Sequence, residues 1–216
     1  MANKKHRDYE NDYPSVTTVL GILRKIGLEN WFKYNTPQFI KEESDKGKLI
    51  GTQIHEGINN LITTGEIKVE TNYASDVMNA LKGFMAFKKD HPEYTLISSE
   101  LPLTSEVYKF NGTLDCIAKK GDTLVLSDWK TGKAKDKDKP DIYDEYKYQV
   151  SAYVYLYNEV NKANIEKAFI LALAKDKVAY NFCEIGKEEI EDCFNEVFLP
   201  ALKILKYQKE KKTYVI

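Results

Sequence analysis

Apolar residues recur every three or four positions through the first ninety residues, and the period then shortens to two. Ser15 stands where a helix N-cap would, ahead of Val16, Val19, Leu20, Leu23 and Ile26 on one predicted face. Pro37 is expected to interrupt the next segment, so residues 15–45 read as two or three short helices. Ile50, Ile54, Ile58, Leu61 and Ile62 predict a further helix over about 48–62, and residues 73–89 another, ended by His91-Pro92. Residues 94–103, 108–119 and 123–130 are rich in Leu, Ile, Val and Thr and predict three consecutive strands. The charged stretch KAKDKDKPD at 133–141 is expected to be an exposed loop. A Tyr-rich helix over 142–160, strands over 168–174 and 178–185 and an amphipathic helix over 187–209 with a basic end complete the chain. Helices, three strands, helix, two strands, helix: that order predicts an α/β sandwich around a mixed sheet.

The second and third strands raise the first chemical question. With Gly121-Asp122 as a two-residue hairpin loop in a primed turn, Lys120 pairs with Thr123. Counting outward sets Asp115 opposite Asp128 on one face, with Lys130 on that face too. The same count puts Leu114 with Val125 on one side and Ile117 with Leu126 on the other, so both faces should be covered by helices. Two shielded carboxylates repel unless one is protonated or a cation lies between them, and a hard divalent cation is the economical answer. The alternative is a solvated pair of edge carboxylates with Lys130 as surface counterion.

Composition narrows the setting without deciding the function. The chain has 216 residues, 43% of them hydrophobic, enough for one well-buried domain. No apolar run is long enough to span a bilayer, and the N-terminal stretch has no apolar core of a secretory signal. Three cysteines, Cys116, Cys183 and Cys193, without CxxC spacing argue against a disulfide framework or a cysteine-built metal cluster and fit a reducing cytosol. A formal net charge of −1 gives no overall attraction to nucleic acid and leaves only a local basic groove open.

Gly112 ahead of Asp115, followed by Asp128-Trp-Lys130, resembles the PD-(D/E)xK nuclease superfamily, with Leu114-Asp115 in place of Pro-Asp. Gly51-Thr-Gln-Ile-His55 on an early helix, Glu100 on the preceding strand and Gln149-Val-Ser-Ala-Tyr153 on the following helix are similar to its RecB-like branch. YPSVTTVLGIL and Trp31 resemble single-domain phage and mitochondrial-type exonucleases of that branch. The resemblance runs from about residue 13 to 157. It implies a restriction-endonuclease-like core of mixed sheet flanked by helices, with an N-terminal helical extension: a cover over 1–45, a nuclease core over 46–185 and a C-terminal helix over 186–216. It further implies a DNA exonuclease that uses one or two Mg2+ or Mn2+ ions and acts on single-stranded or frayed ends in a bacterial or phage-infected cytoplasm. A helicase, recombinase or single-strand-binding protein would be its partner. No iron–sulfur cluster is expected, since the cysteines do not match the places that hold one in some relatives.

By the same resemblance His55, Asp115 and Asp128, with the Trp129 carbonyl, would hold the metal, and Lys130 would orient water and offset phosphate charge. Glu100 would help hold the metal or its water, or support a ligand; a strand-end surface acid is the alternative. An imidazole ligand suits manganese better than magnesium. Gln149 and Tyr153, one helical turn apart, would meet Lys130 or DNA, or pack in the core. Trp31, with Phe32, Tyr34, Lys33 and Lys41 nearby, would stack on bases, or belong to the core. Two rivals remain: an endonuclease cutting flaps or junctions, and a DNA-binding module that keeps the fold without catalysis.

Overall fold

A computed structural model describes residues 11–211 except 68, 70, 136 and 137, and of residue 26 the backbone alone. The first ten residues, two positions of the charged loop and the end of the basic tail therefore lie outside the described residues. Helix α1 spans Val16–Leu20, with Ser15 as N-cap accepting from the Thr18 N–H, as expected. Helix α2 spans Ile26–Tyr34. Pro37 does not break a helix but begins one: α3 runs unbroken over Pro37–Thr63, 27 residues, and the Thr36 side chain caps it by accepting from the Phe39 N–H. The prolyl ring is tolerated at the first helical position, where its missing N–H has no intrahelical partner to lose. Helix α4 spans Ala74–Asp90.

Strands β1 (Tyr94–Ser105), β2 (Phe110–Lys120) and β3 (Thr123–Gly132) lead to α5 (Asp144–Asn161), then β4 (Ala168–Ala174) and β5 (Tyr180–Ile185). The five strands lie side by side in sequence order, all neighbours antiparallel except β3 and β4, which are parallel because α5 carries the chain back between them. β4, AFILALA, is buried at every position, as a continuous apolar run under helices on both faces should be. The last helical segment is α6 (Lys187–Asp192), a π-helical turn over Cys193–Phe198 and α7 (Leu199–Glu210). Pro200 lies just inside α7, and the wider turn before it accommodates a residue that cannot donate to the ladder.

The sheet separates two cores. One lies beneath α5, α1 and the C-terminal helices and contains Val16, Phe110, Leu114, Ile117, Leu126, Leu156 and Phe198. The other lies beneath α3 and α4 and contains Ile54, Ile58, Phe84, Cys116, Val125, Trp129 and Phe169. α1 is thus packed into the main core. Among the described residues no helix is long and apolar enough to cross a membrane. The charged loop is tied down by an Ala134↔Pro140 bridge and by Asn181 donating to the Pro140 carbonyl.

The β2–β3 hairpin has the expected register, Lys120↔Thr123 through Cys116↔Ser127. Gly121 has φ +61 and Asp122 is not left-handed, which fits the type II′ primed turn. The ladder then stops. Among the described residues, β2 past Cys116 pairs only with β1 and, at Asn111, with Ser15, and β3 past Ser127 pairs only with β4. The two strands open as a fork, with Asp115 and Asp128 at its base.

Gly112 lies on the α5 side of that fork. A Cβ there would come within 2.8 Å of Leu156 Cδ2 and 2.9 Å of Tyr153 Cε1, whereas one at Gly51 would find nothing nearer than Thr131 Oγ1 at 3.7 Å. Both obstructing side chains are buried in the core, so they cannot swing away. Gly112→Ala is therefore expected to cost about 1–3 kcal/mol of unfolding free energy. Gly51→Ala, in a helix interior with room, should gain up to about 1 kcal/mol. Urea unfolding of the two variants checks the contrast.

Candidate metal centre and active site

A regular strand sends residues two apart to the same face. Leu114 and Cys116 break that rule, since Leu114 packs with Ile117 and Leu126 under α5 while Cys116 packs with Val125 and Trp129 under α3 and α4. The expectation that Leu114 would share a face with Val125 is corrected accordingly. On β1 the same inversion occurs between Ser99, whose hydroxyl donates to Asn59 on α3, and Leu101, which packs into the α5 core. Between them Glu100 has φ +56, the left-handed region that costs a non-glycine residue about 1–2 kcal/mol. The β1–β2 ladder runs Ser99↔Cys116 and then Leu101↔Leu114, without a Glu100–Asp115 pair.

Both strands therefore change phase at one level, and the change turns two carboxylates toward α3. Asp115 Oδ1 lies 3.3 Å from His55 Nδ1, and Asp115 Oδ2 accepts from the Trp129 N–H at 2.8 Å. Ligand atoms of His55, Glu100 and Asp115 all lie within 4.8 Å of one another. His55 follows Ile54 at the margin of the buried stripe Ile50, Ile54 and Ile58, which seats α3 on the sheet.

Asp128 keeps the regular phase of β3 and stays on the other side of the fork. Its side chain is 1% exposed, and Lys130 Nζ lies 2.5 Å from Oδ2. That close charge contact leaves both carboxylate oxygens without a well-aligned hydrogen bond among the described residues. Lys130 also lies over the Tyr146 ring of α5, 5.4 Å from its centroid. Asp115 and Asp128 are neighbours across the fork, yet the structure groups Asp115 with His55 and Glu100, and Asp128 with Lys130.

The two acids differ in character for that reason. Burial alone would raise Asp115; the charge and hydrogen bond of His55, then Lys130 and the Trp129 N–H, outweigh it and hold Asp115 below the usual carboxylate range. Burial dominates at Asp128 and, with repulsion from Asp115, pushes it up to about 7 despite Lys130. Burial pulls His55 down, but the charge and hydrogen bond of Asp115 raise it above its ordinary value.

The donor set fits a divalent cation. Two carboxylates and an imidazole lie within one ion's reach, and Asp128 Oδ1 beside them, buried and without a hydrogen-bond partner among the described residues, is an atom a cation would relieve. The Trp129 side chain is buried edge-on against Phe84.

Gln149 donates to the Tyr153 hydroxyl at 2.8 Å. Tyr153 is 5% exposed, its ring packed beside Gly112, so core packing is the role the structure displays for it. Trp31 is half-buried on α2, its ring 5.4 Å from that of Phe32. It stands near the start of α3, whereas His55 is roughly 27 Å further along that helix axis at 1.5 Å per residue. Sequence reasoning passes over Asn59 and Ser99, and covers Tyr146 only within a Tyr-rich helix. The i,i+4 spacing of His55 and Asn59 is the available signal for the first.

The model of the PD-(D/E)XK nuclease superfamily matches residues 28–197. The chain belongs to that superfamily. Its fold is shared with a putative exonuclease from Eubacterium rectale, at 13% identity and TM-score 0.51 over 76% of this chain and 68% of that one. An alkaline exonuclease from Laribacter hongkongensis (15% identity, TM-score 0.38, 76% and 86% covered) and a phage-related exonuclease from Haemophilus somnus (14%, 0.37, 73% and 81%) overlap less closely. Curated protein sequences give no match. Superfamily membership makes the chain a nuclease, implies DNA as substrate and carries the use of divalent metal ions; the His55, Glu100 and Asp115 group is where such an ion could bind.

The raised Asp128 has a consequence for the metal-free protein. A carboxyl whose folded value lies above its unfolded value, near 3.9, binds more protons when folded, so its contribution to stability falls as pH rises from about 4 to about 7. In chelator, wild type should therefore lose stability relative to Asp128→Asn between pH 5 and pH 7.5. Urea unfolding of both proteins at the two pH values tests this; a difference independent of pH would show Asp128 to be unperturbed.

Proposed function

We propose that the protein is a divalent-metal-dependent DNA exonuclease acting on single-stranded or frayed ends. The observation that carries the reading is the convergence of His55, Glu100 and Asp115 from three separate elements, next to the buried Asp128–Lys130 pair. His55, Glu100 and Asp115 would hold the ion, with Asp128 and the Trp129 carbonyl as further oxygen donors across the fork. When bound, the ion supplies a water that ionises near neutral pH and positive charge against the phosphate oxygens.

The protein's own groups do the rest. Lys130, 17% exposed, presents an ammonium held by Asp128 and the Tyr146 ring. From there it orients the attacking water and offsets charge that grows on the phosphate. Gln149, held by its hydrogen bond to Tyr153, would offer its carboxamide oxygen to the DNA from α5. A preference for free ends rests on the N-terminal helices. Among the described side chains of α2 none is buried, and Leu28, Phe32, Tyr34 and Phe39 are 44%, 47%, 77% and 45% exposed, with Lys33 over the Tyr34 ring. Aromatic faces interleaved with lysines suit a flexible single strand, whose bases can stack. Trp31 would join that platform. The strand would have to be exposed by a helicase, recombinase or single-strand-binding partner. The protein would act in recombination, repair or replication.

A time course on end-labelled single strands tests the reading. Mn2+ should support cleavage at least as well as Mg2+, and chelator should abolish it. Asp115→Asn and Lys130→Ala should each slow it by about a hundredfold or more. Trp31→Ala should raise KM for the strand and leave the saturated rate unchanged. Activity with Mg2+ and none with Mn2+ would count against His55 as a ligand. Cleavage of circular single strands would favour the endonuclease, and intact strands under every condition the non-catalytic module.

A further inference from the structure

Glu100 occupies a conformation that its own chemistry disfavours. It is a charged residue with a full side chain, at φ +56 in the middle of a strand. Such a residue persists only where its surroundings over-determine the backbone. The sheet does not do this, because the β1–β2 ladder skips both Glu100 and the residue opposite it. One residue earlier, however, the Ser99 hydroxyl donates to Asn59 Oδ1 on α3, a part-buried contact between residues forty apart in sequence. Asn59 is four residues after His55 and so lies on the same face of a rigid helix. Ser99 and Glu100 both turn toward α3, and Leu101 turns away.

We propose that Asn59 is a positioning residue for the metal group: its hydrogen bond with Ser99 clamps β1 to α3 where the strand changes phase, and so aims the Glu100 carboxylate at His55 and Asp115. The inference rests on the metal reading given above. It assigns the clamp a task that a mere packing contact would not have. With His55 and Asn59 on one helix, the distance between two ligand-bearing elements is set by a single turn of α3. Without the clamp, β1 can relax toward regular alternation, which would turn Glu100 away from the group.

The test is Mn2+ affinity by isothermal titration calorimetry on the full chain, with metal-free melting temperature measured beside it. Asn59→Ala and Ser99→Ala should each weaken Mn2+ binding roughly tenfold or more, the usual consequence of removing a group that orients a ligand. Ser99→Thr, which keeps the hydroxyl, should bind as wild type does. In a Glu100→Ala background, Asn59→Ala should cause no further loss, because the group it positions is gone. Wild-type affinity in Asn59→Ala, or an equal loss with and without Glu100, would overturn the inference. If Asn59→Ala does not fold, Ser99→Ala decides by the same criteria. Failure of the wild-type protein to bind Mn2+, or wild-type binding by Glu100→Ala, would overturn the metal reading itself.

Discussion

A single missing rung in a β-ladder sets the geometry of the candidate site. Where Glu100 should pair with Asp115, both strands instead reverse their side alternation, and one of them does so through a left-handed residue. Two carboxylates are thereby delivered to the side of the sheet on which α3 presents His55. On the neighbouring strand the alternation stays regular, so Asp128 and Lys130 remain on the side covered by α5. The fork between β2 and β3 is what lets the two halves of the site face each other through the sheet instead of around its edge. Stability is given up locally for this arrangement, since a ladder pair is lost and a strained backbone kept. The two cores above and below the sheet hold the surrounding strands in place.

The electrostatics stem from that division. Asp115 is surrounded by donors and positive charge, from His55, Lys130 and the Trp129 N–H, and remains an anion. Asp128 is fully enclosed and holds its proton more readily, with Lys130 as its near counter-charge. Two carboxylates a short way apart thus have different proton affinities, the condition under which one acid can serve as a fixed anion while its neighbour responds to what is bound. Tyr146 contributes an aromatic face to Lys130, which restrains the ammonium without neutralising it.

Much of this is legible in the sequence. The element order, the mixed sheet, the hairpin register and the two-sided burial all come from periodicity and one Gly-Asp turn. Of the motif residues, the structure brings His55, Glu100 and Asp115 together on one side and pairs Asp128 with Lys130 on the other. The phase change is what cannot be read. Regular alternation is the default through Leu114, Asp115 and Cys116, and nothing in those residue types announces an inversion; Glu100, unlike a glycine, gives no warning of a positive φ. That is why the two aspartates are expected on one face and are found on opposite sides of the fork. Pro37 misleads for a simpler reason, since a proline that ends one helix and a proline that begins another look alike until Thr36 is recognised as a cap. Asn59 and Ser99 escape notice because a hydrogen bond between elements has no local pattern.

The proposed chemistry requires a divalent ion seated between α3, β1 and β2. A crystal structure of the protein grown with Mn2+, with diffraction recorded for the anomalous signal of manganese, tests that requirement most directly. The expected result is an anomalous peak in contact with His55, Glu100 and Asp115. A manganese peak at another place, with those three side chains turned apart or bound only to one another, would contradict it.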